Sequence, residues 1–488
     1  MRYILSTYCL ITSFFTYAEK YEVNSVGSFN EILLKVQPGD EIIWMDGNYV
    51  DVKICFNPKA KGTPESPIIF RAQALGKVVF SGDSKIALGG SYLQVEGFLF
   101  QGNCTFKTGE NVIDFRSSSG KSGVLAEHCR VTNCAIINYS LTEESAITNY
   151  YVNLVGIYNE LDHCSFAGKI NKGPTVVVEY KQDSGYVPGS DVAPSTYHHI
   201  HHNYFGYRTF SSNGGEQLRV GTSTTSFSHG FNIVEYNYFE DERIEAEVIS
   251  NKSSNNIYRF NTLIANDGAL VIRHGHNCFV YGNYINGKSG RKTSGGIRLI
   301  NPDNTAFNNY LEELEGGAKG MKAPLSIMAG LDGSDLNEYY AADNALVAYN
   351  TVVGCVGPAI CIGVGNSAKG KPIVAPKNVL LIGNLIMNTS GDNNAPIAIA
   401  DQNATFKLKD NFYNNGTTNL EGFTTLSSKD IQSKDGFNYY SQSINQAVID
   451  TINERLAIQK INLSKEEITW FNPAWKLSKN DVGVSWIK

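Results

Sequence analysis

The sequence predicts an all-β chain wound as a right-handed parallel β-helix. Three observations carry that prediction: a short recurring phrase, the smallest distance between its copies, and the residue that marks each copy. From Tyr92 to Phe412 the phrase is two or three apolar residues, a Gly or Asn, then another apolar pair. Copies are Val95-Glu96-Gly97-Phe98, Ile200-His201-His202-Asn203-Tyr204-Phe205, Val234-Glu235-Tyr236-Asn237-Tyr238-Phe239, Tyr258-Arg259-Phe260-Asn261-Thr262-Leu263 and Val280-Tyr281-Gly282-Asn283-Tyr284-Ile285. Further copies centre on Asn309, Asn350, Asn384 and Asn411.

Neighbouring Asn positions come as close as 22 residues, from Asn261 to Asn283. That length has room for about three short strands with bends between them, which is one coil of a solenoid. Loops lengthen other coils without breaking the stack. Asn suits the bend because it tolerates left-handed backbone angles, and its amide reaches its counterpart on the next coil. A propeller blade needs about 40 residues and antiparallel hairpins, and a leucine-rich repeat needs a regular Leu frame that is missing.

The ends read differently. Residues 1–18 resemble a signal peptide, with Arg2, an apolar run from Ile4 to Phe15 and Ala18 before the cut, so export to a periplasm or the medium is expected. Residues 19–488 then form one β-helix domain, with coils over about 92–415 and an extension over about 416–488. Asn30 to Lys35 is expected to form a short capping helix, Gln37-Pro38-Gly39-Asp40 a turn, and Glu41 to Trp44 the first strand. Ser443 to Gln459 has helical spacing of Ile444, Val448, Ile449, Ile452 and Leu456, and should pack across the stack.

Composition narrows the function. Charged residues are 18% of the 488 and the net charge is −6, which argues against disorder and against broad nucleic-acid binding. A polyanionic ligand would need a local basic cleft. Apart from Cys9 in the leader, eight cysteines remain with no CxxC pair, so buried core cysteines are expected rather than a zinc site. No other apolar run approaches the ~20 residues that span a bilayer.

Charge concentrates between Asn213 and Arg298, in Asn213-Gly214-Gly215-Glu216-Gln217-Leu218-Arg219-Val220-Gly221, Glu245-Ala246-Glu247-Val248-Ile249-Ser250-Asn251-Lys252-Ser253 and Leu270-Val271-Ile272-Arg273-His274-Gly275-His276. In a strand, Glu245 and Glu247 share a face. Paired carboxylates repel unless a cation lies between them, and Ca²⁺ prefers such oxygens, with Asn213 able to supply a third; a solvated acidic edge is the alternative. Lys252, Arg273 and Arg298 are 21 and 25 residues apart, close to one coil each, so they could rise as a row along one face. Such a row opposite an acidic pair suggests a groove for a polyanion. His274 and His276 lack a third ligand nearby, which favours substrate contact or packing, and His201 and His202 sit inside a repeat phrase, where a structural role is expected.

These strings resemble polysaccharide lyase family six, the alginate lyases and chondroitinase B group, in the combination NGGEQLRVGTSTTS from Asn213, EAEVISNKS from Glu245, RHG from Arg273 and SGGIRLI from Ser294. The resemblance runs from about Val23 to Trp486 and is similar to the single-domain type. It implies Ca²⁺ ligands at Asn213, Glu245 and Glu247, a general base at Lys252, a general acid at Arg273, and substrate contacts from Arg298, Glu216 and His274. The first string looks more like the alginate branch than the chondroitinase branch. An anionic uronan, most of all alginate, is the implied substrate, cleaved by β-elimination to leave 4,5-unsaturated ends.

Elimination removes a weakly acidic proton beside a carboxylate, so the negative charge there must be offset, a task suited to Ca²⁺. A lysine base must be neutral to act. A guanidinium scarcely gives up its proton, so Arg273 reads first as an electrostatic clamp, with donation direct or through water left open. A hydrolase using two of Asp241, Glu242, Glu245 and Glu247 would leave Lys252 and Arg273 idle. A non-catalytic polysaccharide-binding β-helix is the rival from another class.

Overall fold

The computed structural model describes residues 18–56, 60–118, 123–141, 146–180, 195–209, 214–243, 245–365, 370–389 and 395–487. The proposed leader therefore lies almost wholly outside the described residues. Among those described, three long parallel sheets of 14, 14 and 12 strands run along the molecule, and successive coils add one strand to each. The fold is a right-handed parallel β-helix. One coil contributes Ile257–Arg259, Thr262–Ile264 and Ala269–His274; the next contributes Phe279–Tyr281, Tyr284–Asn286 and Ile297–Leu299. Their registers match Tyr258 with Val280, Leu263 with Ile285 and Leu270 with Ile297.

Alternation along each short strand sends one column inward per sheet. Val234, Tyr258, Val280, Ala306 and Val347 fill the core from the first sheet, and Phe205, Phe239, Leu263, Ile285 and Leu311 from the second. Between these two sheets the repeating Asn forms a continuous ladder. The Nδ2 of Asn203, Asn237, Asn261, Asn283, Asn309, Asn350 and Asn384 each donates to Oδ1 of the next Asn, ending at Asn411, at 2.9–3.0 Å. Each Oδ1 on the ladder also accepts the backbone N–H of the preceding Asn, as Asn283 does from Asn261. Polar groups at the bend are thereby satisfied inside the core.

Left-handed angles belong not to these Asn but to the residue before each, among them His202, Tyr236, Phe260, Gly282, Asn308 and Tyr349. The amide, rather than backbone tolerance, is what fixes Asn at the bend. Cys164 holds the equivalent place one coil earlier, its N–H donating to Asn203 Oδ1 at 3.0 Å. All eight described cysteines are free, and all but Cys55 are buried, as the spacing predicts.

The stack starts before the phrase does. Lys20–Val23 pairs with Glu41–Trp44, which is thus the second strand and not the first. These early coils are held by an aromatic core in place of the ladder. The capping helix runs Val26–Leu33, earlier than expected, because Ser25 caps it by accepting the Ser28 N–H. Its Phe29 covers Trp44, Phe56 and Phe70 at ring-centre distances of 5.1–6.4 Å.

At the other end the helix Gln446–Leu456 buries Val448, Ile449, Ile452 and Leu456 against Ile257, Phe279, Tyr281, Phe307 and Leu346 on the outside of the first sheet. The tail then runs back along the coils until Val484 N–H meets Ser165 Oγ at 3.0 Å. No described helix is long and apolar enough to cross a membrane.

Candidate active site

On the third sheet the strands Leu218–Gly221, Glu247–Lys252, Ala269–His274 and Ile297–Leu299 are consecutive neighbours. Leu218, Val220, Ile249, Leu270, Ile272, Ile297 and Leu299 belong to the core. Alternation therefore turns Arg219, Ser250, Lys252, Val271, Arg273 and Arg298 to the outer face.

Two irregularities shape this face. The register between the middle strands skips Val248, and it skips Arg273 between the pairs Asn251 with Ile272 and Lys252 with His274. Val248 and Ile249 thus both enter the core, and Arg273 is the extra residue of a bulge. The straight row of three cations expected from the spacing does not form. Lys252 stands opposite His274, and Arg298 opposite Val271. Asn251 holds the bulge from inside, its Nδ2 donating to the carbonyls of Ser253 and His274, both at 2.7 Å.

Glycine is required at both flanks. Gly221 pairs with Lys252 at φ +84°, and an added Cβ would fall 2.6 Å from the Lys252 carbonyl oxygen. Gly275 has φ +89°, and its Cβ would meet the Ser253 carbonyl at 2.1 Å. Both conformations belong to the region that favours glycine.

Carboxylates gather the cations that the register leaves apart. Glu247 Oε1 lies 3.7 Å from Arg273 Nε and 3.4 Å from Arg298 Nη2, and its Oε2 accepts the Ser250 hydroxyl. Lys252 Nζ lies 3.6 Å from Glu216 Oε1. Arg273 is also fixed from a loop some 65 residues onward: its guanidinium lies over the Tyr339 ring at 4.0 Å and donates to the Glu338 carbonyl at 3.1 Å. Tyr339 was not legible in the sequence, because only the fold brings that loop over the bulge.

Glu245 precedes the strand instead of alternating with Glu247 along it. Its Oε2 accepts the N–H groups of Gly214 at 2.9 Å and Gly215 at 3.0 Å, and its Oε1 that of Ala246 at 2.8 Å. Burial raises its pKa, backbone donors partly offset this, and the nearby Glu216 carboxylate raises it further. Asn213 lies outside the described residues. Among those described, Glu245 has no ion-pair partner, and the buried Glu216 Oε2 has no hydrogen bond. The buried Arg208 guanidinium acts on both Glu216 and Glu245, and Lys252 on Glu216; the carboxylate oxygens of Glu245 and Glu247 are the donor type that a hard divalent cation such as Ca²⁺ takes.

His274 is only 1% exposed. Burial, then Arg273 and Lys252, lower its pKa to about 2, so it stands neutral beneath the cations. Its Nε2 is 3.4 Å from Ser223 Oγ. Asp241, a candidate for hydrolytic chemistry, is hydrogen-bonded by Arg243 and Arg291, which outweigh burial and keep its pKa low. A cavity of about 610 Å³ lies elsewhere, between the extension and the coils near Tyr310, Tyr349 and Trp470, and none of the candidate residues lines it. The charged groups instead lie along the outer side of the third sheet, with Arg298 5% and Glu216 3% exposed.

The sequence model of the family described as chondroitinase B matches residues 23–455. The chain belongs to the chondroitinase B family. Several solved structures are similar to this family member. The PL6 family alginate lyase AlyGC is 34% identical with a TM-score of 0.80, over 96% of this chain and 59% of that one. A mannuronic acid specific polysaccharide family 6 lyase from human gut microbiota is 25% identical with a TM-score of 0.69, over 96% of both chains. The PL6 family polysaccharide lyase Pedsa3628 from Pseudopedobacter saltans is 25% identical with a TM-score of 0.68, over 96% of this chain and 99% of that one. The chain thus spans about three-fifths of the length of AlyGC. No curated protein matches it significantly.

Proposed function

We propose that this protein is a polysaccharide lyase that cleaves the 4-linked bond of a uronic-acid polymer, with alginate as substrate, by β-elimination. The observation that carries the reading is the outward strip of Lys252, Arg273 and Arg298, paired with Glu216 and Glu247 on a sheet of a chondroitinase B family chain. Alginate is favoured by the 34% identity to a protein named an alginate lyase. Dermatan sulfate is the second reading, since the family carries the name of chondroitinase B.

In this mechanism the substrate's carboxylate lies over Arg298 and Arg273. Lys252, acting as the base, takes the C5 proton, the C5–H pair becomes the C4–C5 double bond, and the C4–O4 bond breaks toward the leaving sugar. Glu245 and Glu247, with Asn213, would hold Ca²⁺, which when bound would supply positive charge to offset the substrate carboxylate. Arg273 stabilises the departing oxygen while keeping its own proton, in line with its contacts to Glu247 and Tyr339. Water brings the proton that completes the leaving hydroxyl. Export by an N-terminal signal peptide would bring the enzyme to such a polymer.

Incubation with polymannuronate, polyguluronate and dermatan sulfate tests the assignment. Ultraviolet-absorbing products with masses of unsaturated oligosaccharides from an alginate block are expected. Saturated products, or no turnover of any of the three, overturn it. A strong chelator should reduce activity reversibly; full activity in a preparation shown by elemental analysis to be metal-free removes Ca²⁺ from the account.

A further inference from the structure

The string His198-His199-Ile200-His201-His202 plays no part in the proposed elimination, and it lies on the first sheet rather than the third. In the strand His199–His201, Ile200 enters the core, so His199 and His201 project together on the outside. The register places Glu160 opposite His199 and Asp162 opposite His201 on one neighbouring strand, and Glu235 opposite His201 on the other. Ligand atoms of Glu160, His199 and His201 all lie within 4.8 Å of one another. Three coils therefore converge on one partly buried patch of imidazole and carboxylate.

We infer that Glu160, His199 and His201 form a binding site for a zinc-type transition-metal ion on the outer face of the first sheet, separate from the catalytic strip. His201 Nε2 lies 2.8 Å from Glu160 Oε1, and His199 Nε2 lies 2.8 Å from Glu235 Oε1. An ion at this junction would take the Nε2 atoms of both histidines and a Glu160 oxygen, with water as the fourth ligand, since Glu235 already accepts Arg259 Nε. Two imidazoles and a carboxylate suit Zn²⁺, Co²⁺ or Ni²⁺ and do not suit Ca²⁺.

The surroundings are those of a supported ligand set. His201 Nδ1 faces His202 Nδ1 at 2.8 Å. With a metal on His201 Nε2, that Nδ1 carries the hydrogen and donates it to His202, which fixes tautomer and ring together. Asp162 belongs to the overlapping cluster of Asp162, His163 and His201, but it already receives two hydrogen bonds from Arg130 at 2.6–2.7 Å and one from Thr132. Glu160, with Arg130 Nε at 3.7 Å, is the less committed carboxylate.

The test uses the full chain with any polyhistidine tag removed, stripped of metal and returned to buffer with excess Ca²⁺. Titration with ZnCl₂ should show one saturable equivalent by calorimetry and a Tm that climbs with free Zn²⁺. Co²⁺ in its place should give visible d–d bands that Zn²⁺ abolishes. The variant His199→Gln/His201→Gln should lose the equivalent, the bands and the Tm shift while its circular dichroism and turnover of alginate stay at wild-type levels. Should that pair of changes prevent folding, Glu160→Gln alone should weaken Zn²⁺ binding at least tenfold. Absence of saturable Zn²⁺ binding in the unaltered protein, or binding that survives these substitutions unchanged, overturns the assignment.

Discussion

Lys252 Nζ stands 3.6 Å from Glu216 Oε1, and the other Glu216 oxygen has no hydrogen-bond partner among the described residues. Both side chains are largely buried, at 18% and 4% exposure. Such a pair differs from a surface ion pair, because removing one member leaves the other's charge in a poorly solvated place. Lys252→Ala should therefore do two things. Product formation should fall by about 10³-fold or more, as expected for loss of a general base, and the thermal midpoint should drop. Initial rates by ultraviolet absorbance and a melting curve check both, and wild-type rates in this variant would sink the mechanism. Glu216→Gln keeps the shape and relieves repulsion with Glu245, so it should keep the fold while slowing turnover by roughly tenfold through loss of the lysine's anchor.

Arg273 is positioned by geometry that a lysine cannot reproduce. Its guanidinium lies on the Tyr339 ring, reaches the Glu338 carbonyl and pairs with Glu247. Only a planar fork makes all three contacts. Arg273→Lys should lose about 10²-fold in kcat, in line with removal of one electrostatic contact to developing charge. Tyr339→Ala, which leaves the guanidinium in place but loosens it, should cost about tenfold in kcat with little change in the melting curve. Equal rates for Tyr339→Ala and wild type would remove the ring from the positioning of Arg273.

These contacts mark where the sequence was legible and where it was not. The coil period could be read because one amide per coil, from Asn203 to Asn411, must bond to the next, and that requirement fixes residue type and approximate spacing. The bend angle was misread, since the left-handed residue is the one before each Asn. Spacings of 21 and 25 residues put Lys252, Arg273 and Arg298 about one coil apart, and they do lie on neighbouring strands of one sheet. The same spacings could not reveal the bulge, which depends on Asn251 turning inward to bond the His274 carbonyl. Tyr339, and the meeting of Glu160 with His199, arise from loop placement and inter-coil register, neither of which leaves a local signature.

The ladder makes a prediction about stability that is independent of chemistry. Asn283 sits mid-stack, where its Oδ1 accepts from Asn261 N–H and Asn261 Nδ2, and its own Nδ2 donates to the Tyr258 and Tyr281 carbonyls and to Asn309. Asn283→Ala strands several buried polar groups at once, each at about 1–3 kcal/mol. The total loss should reach about 3–5 kcal/mol, seen as a large fall in the urea midpoint. Asn283→Asp preserves the shape but loses the donor, and should be at least as harmful. A loss under ~1 kcal/mol for the alanine variant would mean that the ladder contributes little to stability.

Acid should destabilise this protein in two stages, and the first belongs to buried histidines. Burial lowers the pKa of His198 to about 3, and burial with Arg273 and Lys252 lowers that of His274 to about 2. In the unfolded chain both titrate near ~6.5. Between those values the unfolded state binds more protons, so stability rises with pH: the contribution is complete above ~6.5 and is lost as pH falls below it. Each histidine adds a slope of at most ~1.4 kcal/mol per pH unit. Glu235 behaves differently. Hydrogen bonds and charge from His199 and Arg259 outweigh burial and lower its pKa to about 2, so its share is lost only as pH falls below ~4.3. Urea midpoints measured between pH 5 and 7 should therefore already decline, before carboxylates titrate. His198→Asn separates the cause, because His198 stands between Asn159 and Asn232 in a second run of side-chain bonds, where its Nδ1 accepts from Asn159 and its N–H donates to Asn232. An asparagine oxygen can take over that acceptor role without a titrating ring. The variant should fold and show a slope smaller by about one proton over this range; a pH profile superimposable on the wild type would exclude His198 as a source of the early decline.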